Sequence, residues 1–185
     1  RDERHKPLIL RGARQVGKTT VVNEFGSQFD NYLYFNLEMN ESVRLFEMDI
    51  PLNDLVNMLF ASLGKSQREG STLIFIDEIQ NSPKTIALLR YFYEQRPDLY
   101  VIAAGSLLEN LVDVNVSFPV GRVMYMALRP CSFYEFLGAI GKTNLLAVLS
   151  QKPEYTVVFH EQLMHHFNQY TIIGGMPEAV QRYAE

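Results

Sequence analysis

The chain has 185 residues, 47% of them apolar and 21% charged, which is the balance of a globular protein able to fill a core and not of a disordered segment. A formal charge of -4 gives no global pull toward nucleic acid, and the single cysteine, Cys131, rules out internal disulfides and cysteine-based zinc clusters. No uninterrupted apolar run approaches the ~20 residues of a membrane helix.

A lone thiol is consistent with a reducing, cytoplasmic setting. The opening Arg1-Asp2-Glu3-Arg4-His5-Lys6 lacks the apolar stretch of a signal peptide. The chain starts without methionine and stops at Tyr183-Ala184-Glu185, inside a helical pattern, so it reads as a piece of a longer protein.

In chain order, Pro7-Leu8-Ile9-Leu10 is a short apolar run and predicts a buried parallel strand. Gly17 to Phe25 predicts a helix, and Tyr32-Leu33-Tyr34-Phe35 a second strand. Asn40 to Leu63 predicts helices, the second starting at Asn53-Asp54. Thr72-Leu73-Ile74-Phe75-Ile76 is the most β-prone run of the chain. Pro83 opens a helix at a position that tolerates proline, with Ile86, Leu89 and Tyr93 at helical spacing. Tyr100 to Ala104 predicts a fourth strand ending at Gly105-Ser106, and Val120 to Leu128 a fifth. Beyond Pro130 the pattern is helical, with Phe159, Leu163, Phe167 and Tyr170 on one face. Strands alternating with helices imply βαβ crossovers, hence an α/β fold whose parallel sheet is covered on both faces.

Between the first strand and its helix, Gly12-Ala13-Arg14-Gln15-Val16-Gly17-Lys18-Thr19 fits G-x-x-x-x-G-K-[ST] without a mismatch. Glycines let the backbone curl so that successive N–H groups point at phosphate oxygens. The helix that follows adds its unsatisfied N–H groups and the positive end of its dipole. In this pattern Lys18 bridges the β- and γ-phosphates and the Thr19 hydroxyl ligates Mg2+.

The third strand ends in Asp77-Glu78. Ligands of α/β sheets gather at the carboxyl ends of the strands, so Asp77 is expected beside the phosphate loop as a partner of Mg2+, through a water ligand. Glu78 then orients or deprotonates the attacking water. The competing account is an acidic pair that caps a strand and starts a solvated loop. Ser106 has two accounts as well: a polar sensor of the γ-phosphate, or a turn residue after a strand. Gln80 and Asn81 lie near the same edge and receive no role. His165 and His166, adjacent on a helix, point about 100° apart and are poorly placed to share one metal.

At these residues the chain resembles a known family. Gly12 to Thr20, Phe75-Ile76-Asp77-Glu78-Ile79-Gln80, Gly105-Ser106, Val120-Gly121-Arg122 and Leu128-Arg129-Pro130-Cys131-Ser132-Phe133-Tyr134-Glu135-Phe136-Leu137 look like the AAA-type ATPases of bacteria and archaea. The particular likeness is to those whose ATPase core precedes a C-terminal domain of unknown function with a nuclease-like fold. It extends to Gly174-Gly175-Met176-Pro177-Glu178.

The resemblance implies ATP as the nucleotide, held by Gly12, Ala13, Arg14, Gln15, Val16, Gly17, Lys18, Thr19 and Thr20. It further implies a five-stranded sheet of order 5-1-4-3-2, an ATPase core over 1–138, a helical lid over 139–185 and a homo-oligomer. Arg122 matches a family Gly-Arg step and is either an arginine finger, in its own or a neighbouring subunit, or one half of a surface ion pair. Gly175-Met176-Pro177 is either an element near the base or a sharp turn into the last helix.

The leading expectation is Mg2+-dependent ATP hydrolysis coupled to movement of the lid or of an attached C-terminal domain. A slow nucleotide-gated switch is the second reading and a phosphotransferase the third. The family's absent domain invites a role on nucleic acid, but this segment has no basic stripe to support one.

Overall fold

The computed structural model of the chain describes residues 5–67, 69–106, 121–151 and 157–185. Five parallel strands form one sheet: β1 (Leu8–Arg11), β2 (Asn31–Asn36), β3 (Thr72–Asp77), β4 (Tyr100–Gly105) and β5 (Met124–Ala127). Their order is β2-β3-β4-β1-β5, which is the expected 5-1-4-3-2 read from the other edge. Val120, the expected start of the fifth strand, lies outside the described residues.

The helices are α1 (Lys18–Gly26), α2 (Asn40–Phe46), α3 (Leu52–Ser62), α4 (Pro83–Gln95), α5 (Phe133–Ala139), α6 (Thr143–Leu149), α7 (His160–Ile173) and α8 (Pro177–Ala184). One boundary expectation needs correction. α3 starts at Leu52 rather than at Asn53-Asp54, because Pro51 supplies the extended residue before the first turn (φ -55, ψ 145). In α4 the core-facing aromatic is Phe92, 1% exposed. Phe92 falls three residues after Leu89, and Ile86, Leu89 and Phe92 make a single stripe.

Alternation along the strands fills both faces of the sheet. Ile9, Leu33, Phe35, Ile74, Ile76, Val101 and Ala103 point to one side, where Phe46 of α2, Leu55 and Leu59 of α3 and Ile86 and Leu89 of α4 cover them. Leu10, Leu73, Phe75, Ile102 and Ala104 point to the other, with Val22 of α1. The period of two therefore gives the strands two buried faces, which is why β3 is buried at all six positions.

The chain divides into two compact units: residues 1–12 with 17–128, and residues 13–16 with 129–185. The second is helical. α5 opens with a full capping box, in which Ser132 Oγ accepts from the Glu135 N–H (3.2 Å) while the Glu135 carboxylate accepts from the Ser132 N–H (2.7 Å). Leu137, Leu145 and Leu163 form its core. Phe133 packs edge-on against Phe167 and, at a tilt, against Tyr170.

Candidate functional site

Parallel pairing sets the ends of four strands level. Arg11 of β1 is in register with Gly105 of β4, Ile76 of β3 with Ala103, and Asn36 of β2 with Asp77. The loop after β1, the acidic pair after β3 and Ser106 after β4 therefore leave the same carboxyl edge. With β4 between them, β1 and β3 are two strand spacings apart, roughly 10 Å. The first turn of α1 spans that gap: Thr19 Oγ1 donates to Asp77 Oδ2 at 2.6 Å.

The loop bends through two left-handed residues, Gln15 at φ 61 and Gly17 at φ 93. The second needs glycine, since a side chain at that φ is strained. Gln15 takes up the strained conformation despite its Cβ, a feature concentrated at functional sites. Lys18 is 6% exposed, and its Nζ donates to Gly12 O at 2.9 Å, so the ammonium is folded back over the loop.

Asp77 is 3% exposed, and a buried carboxylate needs partners. Besides Thr19 it accepts from the backbone N–H of Glu78, 3.0 Å from Oδ1. The Tyr34 phenol of β2 faces the same carboxylate: burial first, and then the Asp77 charge, push its pKa above the usual phenol value. Tyr34 was given no role from sequence, because its proximity follows from the β2–β3 register and from nothing local.

Glu78 adopts φ 53, ψ 43 at the head of a 3-10 turn, Ile79–Asn81, and the Gln80 amide donates to its Oε2. Two buried polar atoms at this edge, Gln80 Oε1 and Ser106 Oγ, have no hydrogen-bond partner among the described residues. A buried polar group left unmatched costs about 1–3 kcal/mol, and two at the carboxyl edge of one sheet mark a place suited to polar occupants. A hydroxyl and a carboxylate in contact are also the hard-oxygen donors that suit Mg2+. The residues present therefore fit that ion.

Arg122 is not brought to this edge. It precedes β5, so it lies at the amino end of the sheet, on the order of 13 Å of strand away from the loop. There its Nε pairs with Glu94 Oε1 at 2.6 Å, and Arg90 binds the same oxygen at 2.9 Å. These two guanidinium hydrogen bonds, Arg90's first, hold the Glu94 carboxyl below its usual pKa.

Gly175 sits where the Cys131 N–H donates to its carbonyl at 2.7 Å. A Cβ there would meet Cys131 O at 2.2 Å. Gly174 takes φ 78, ψ -178 and Pro177 is at the first turn of α8, so the segment makes the sharp chain reversal into that helix. His165 and His166 share one neighbour, Gln169, which bonds each ring. Among the described residues no group of three or more His, Cys, Asp and Glu side chains could hold a metal, and no helix is long and apolar enough to cross a membrane.

A phosphate loop between the first strand and first helix of a five-stranded parallel sheet, with an acidic residue at the end of the third strand, defines a P-loop fold. Residues 4–137 match the family described as AAA domain, and the chain belongs to that family. An uncharacterized protein of Methanocaldococcus jannaschii is 22% identical over 177 residues, which is 94% of this chain but 36% of that protein. The chain thus spans about a third of the length of that relative. Among solved structures, the fold is similar to a Walker-type ATPase of Pyrococcus abyssi (TM-score 0.55, 16% identity, 97% of this chain and 62% of the other). It is also similar to a chain in the structure of the Drosophila ORC bound to DNA (TM-score 0.56, 15% identity, 99% of this chain and 56% of the other).

Proposed function

We propose that this chain binds ATP with Mg2+ at the Gly12–Thr20 loop and hydrolyses it. The observation that carries the reading is the 2.6 Å contact between Thr19 and the buried Asp77 beside a buried Lys18. It puts a hydroxyl, a carboxylate and an ammonium at one helix N-terminus. Membership in the AAA domain family supports ATP as the nucleotide.

In this proposal the amides of Ala13, Arg14, Gln15, Val16 and Gly17 cradle the polyphosphate, with Lys18 and Thr20 completing the loop's grip. Lys18 exchanges Gly12 O for phosphate oxygens. Thr19 and Asp77 would hold Mg2+, which when bound neutralises charge on the phosphate oxygens. Glu78 accepts a proton from the attacking water while Ser106 offers its unmatched hydroxyl to the same space. An arginine-finger role for Arg122 is proposed only toward the nucleotide of a neighbouring copy in a homo-oligomer, because in its own chain it is engaged at the far edge of the sheet.

The helices from 139 to 185 are proposed to act as a lid on the core of 1–138, and nucleotide state to move that lid or an attached C-terminal domain, in a cytoplasmic setting. Single-turnover phosphate release with Mg2+ and ATP tests the hydrolytic step. Wild type releases phosphate, and Glu78→Gln binds ATP but is slowed by about 10²–10⁴-fold. Unchanged release by Glu78→Gln removes Glu78 from the mechanism. Tight binding with no release by wild type favours a nucleotide-gated switch, and phosphate carried to an acceptor favours a phosphotransferase.

A further inference from the structure

The turn after β3 carries a side-chain pair that the proposed reaction does not account for. Ile79 is fully buried in the core under the sheet, which pins the 3-10 turn from below. On its other side Asn81 Nδ2 donates to Leu37 O at 3.3 Å, and Ser82 caps α4 through the Thr85 N–H. The residues flanking Ile79, namely Glu78 and Gln80, are half-buried, and the amide of Gln80 donates through Nε2 to Oε2 of Glu78. That orientation of the amide is chemically forced, since its carbonyl oxygen against a carboxylate would be two acceptors face to face. The same amide leaves Oε1 buried and without a partner among the described residues. Glutamine serving only to staple the turn would not need to strand its carbonyl there.

We infer that Gln80 is the positioning residue for Glu78. Its amide occupies one carboxylate oxygen and thereby fixes the plane of the group, which aims the other oxygen as the acceptor for a water proton. A backbone already held in the left-handed region at φ 53 and an amide clamp on the side chain leave the carboxylate one orientation. A correctly oriented base gains rate through geometry alone. The inference rests on the hydrolytic reading proposed above.

A double-mutant cycle in this chain, with Mg2+ and ATP, separates the two. No phosphate release by wild type would overturn the hydrolytic reading, whereas wild-type release that Glu78→Gln does not slow would remove Glu78 from the mechanism and overturn this inference with it. Where Glu78→Gln does slow release, Gln80→Ala is expected to lower kcat on the order of 10-fold, with KM and ATP affinity unchanged. It is expected to have no further effect when added to Glu78→Gln, because its action runs through that carboxylate.

The isosteric Gln80→Glu, which keeps the shape of the turn but replaces the donor with an acceptor, is expected to lose at least as much and guards against misfolding of the alanine variant. Wild-type kcat in Gln80→Glu overturns the inference while leaving the role of Glu78 intact. So does an equal loss in the Glu78→Gln background, or a loss confined to KM.

Discussion

Thr19 Oγ1 lies 2.6 Å from Asp77 Oδ2, a contact between residues 58 positions apart in sequence. Two strands of a parallel sheet and the first turn of a helix must all be in place for it to form. It is the point at which the phosphate loop and the carboxylate of the third strand become one site.

Lys18→Ala tests the loop side of that site. The ammonium is buried and hydrogen-bonded to Gly12 O, so the substitution removes a phosphate-binding charge and the latch on the loop together. Calorimetry should find ATP affinity reduced by about 10- to 150-fold, the equivalent of about 1.5–3 kcal/mol for a charged hydrogen bond. Wild-type affinity would separate Lys18 from the nucleotide.

Gly175→Ala tests what the Gly175-Met176-Pro177 segment is for. Its new Cβ would meet the Cys131 carbonyl at 2.2 Å, and backbone gives way less easily than a flexible side chain. The expected result is a destabilisation of about 1–3 kcal/mol in urea unfolding, the usual cost of overpacking. ATP affinity, measured where the variant is folded, should not change. Lost affinity at unchanged stability would instead favour contact with the base.

The capping box of α5 has a pH signature. Hydrogen bonds from the Ser132 N–H and hydroxyl hold the Glu135 carboxyl below its usual value of 4.5. A carboxyl whose folded pKa is depressed contributes stability above its unfolded pKa and loses it as pH falls through the folded one. Ser132→Ala should therefore cost about 1 kcal/mol near neutral pH. The difference between variant and wild type should shrink below pH 4.5. Parallel unfolding curves at pH 7 and pH 3 would check it.

Much of this was legible in the sequence, for a physical reason. Each strand of a doubly covered parallel sheet is a compact apolar run, and the phosphate loop is a contiguous motif in which spacing and residue type carry the chemistry. Thr19 and Asp77 are thus assignable to one edge from the sequence alone. Tyr34 and Gln80 are not. Tyr34 reaches Asp77 through the register of β2 against β3, and Gln80 reaches Glu78 only because Glu78 takes a left-handed backbone that no glycine announces. On α4 both Phe92 and Tyr93 fit a helical period after Leu89, and packing puts Phe92 in the core. Arg122 was raised by resemblance, which conveys a role but no position. Its place ahead of a parallel strand puts it at the opposite end of the sheet.

The proposal that Thr19, Asp77 and Lys18 form a Mg2+–ATP site is tested most directly by single-turnover phosphate release from ATP, with Mg2+ and with EDTA, in wild type and in Asp77→Asn. Wild type should release phosphate with Mg2+ and not with EDTA, and Asp77→Asn should lose most of the Mg2+-dependent rate. Equal release by wild type with and without Mg2+, or a full Mg2+-dependent rate in Asp77→Asn, would contradict it.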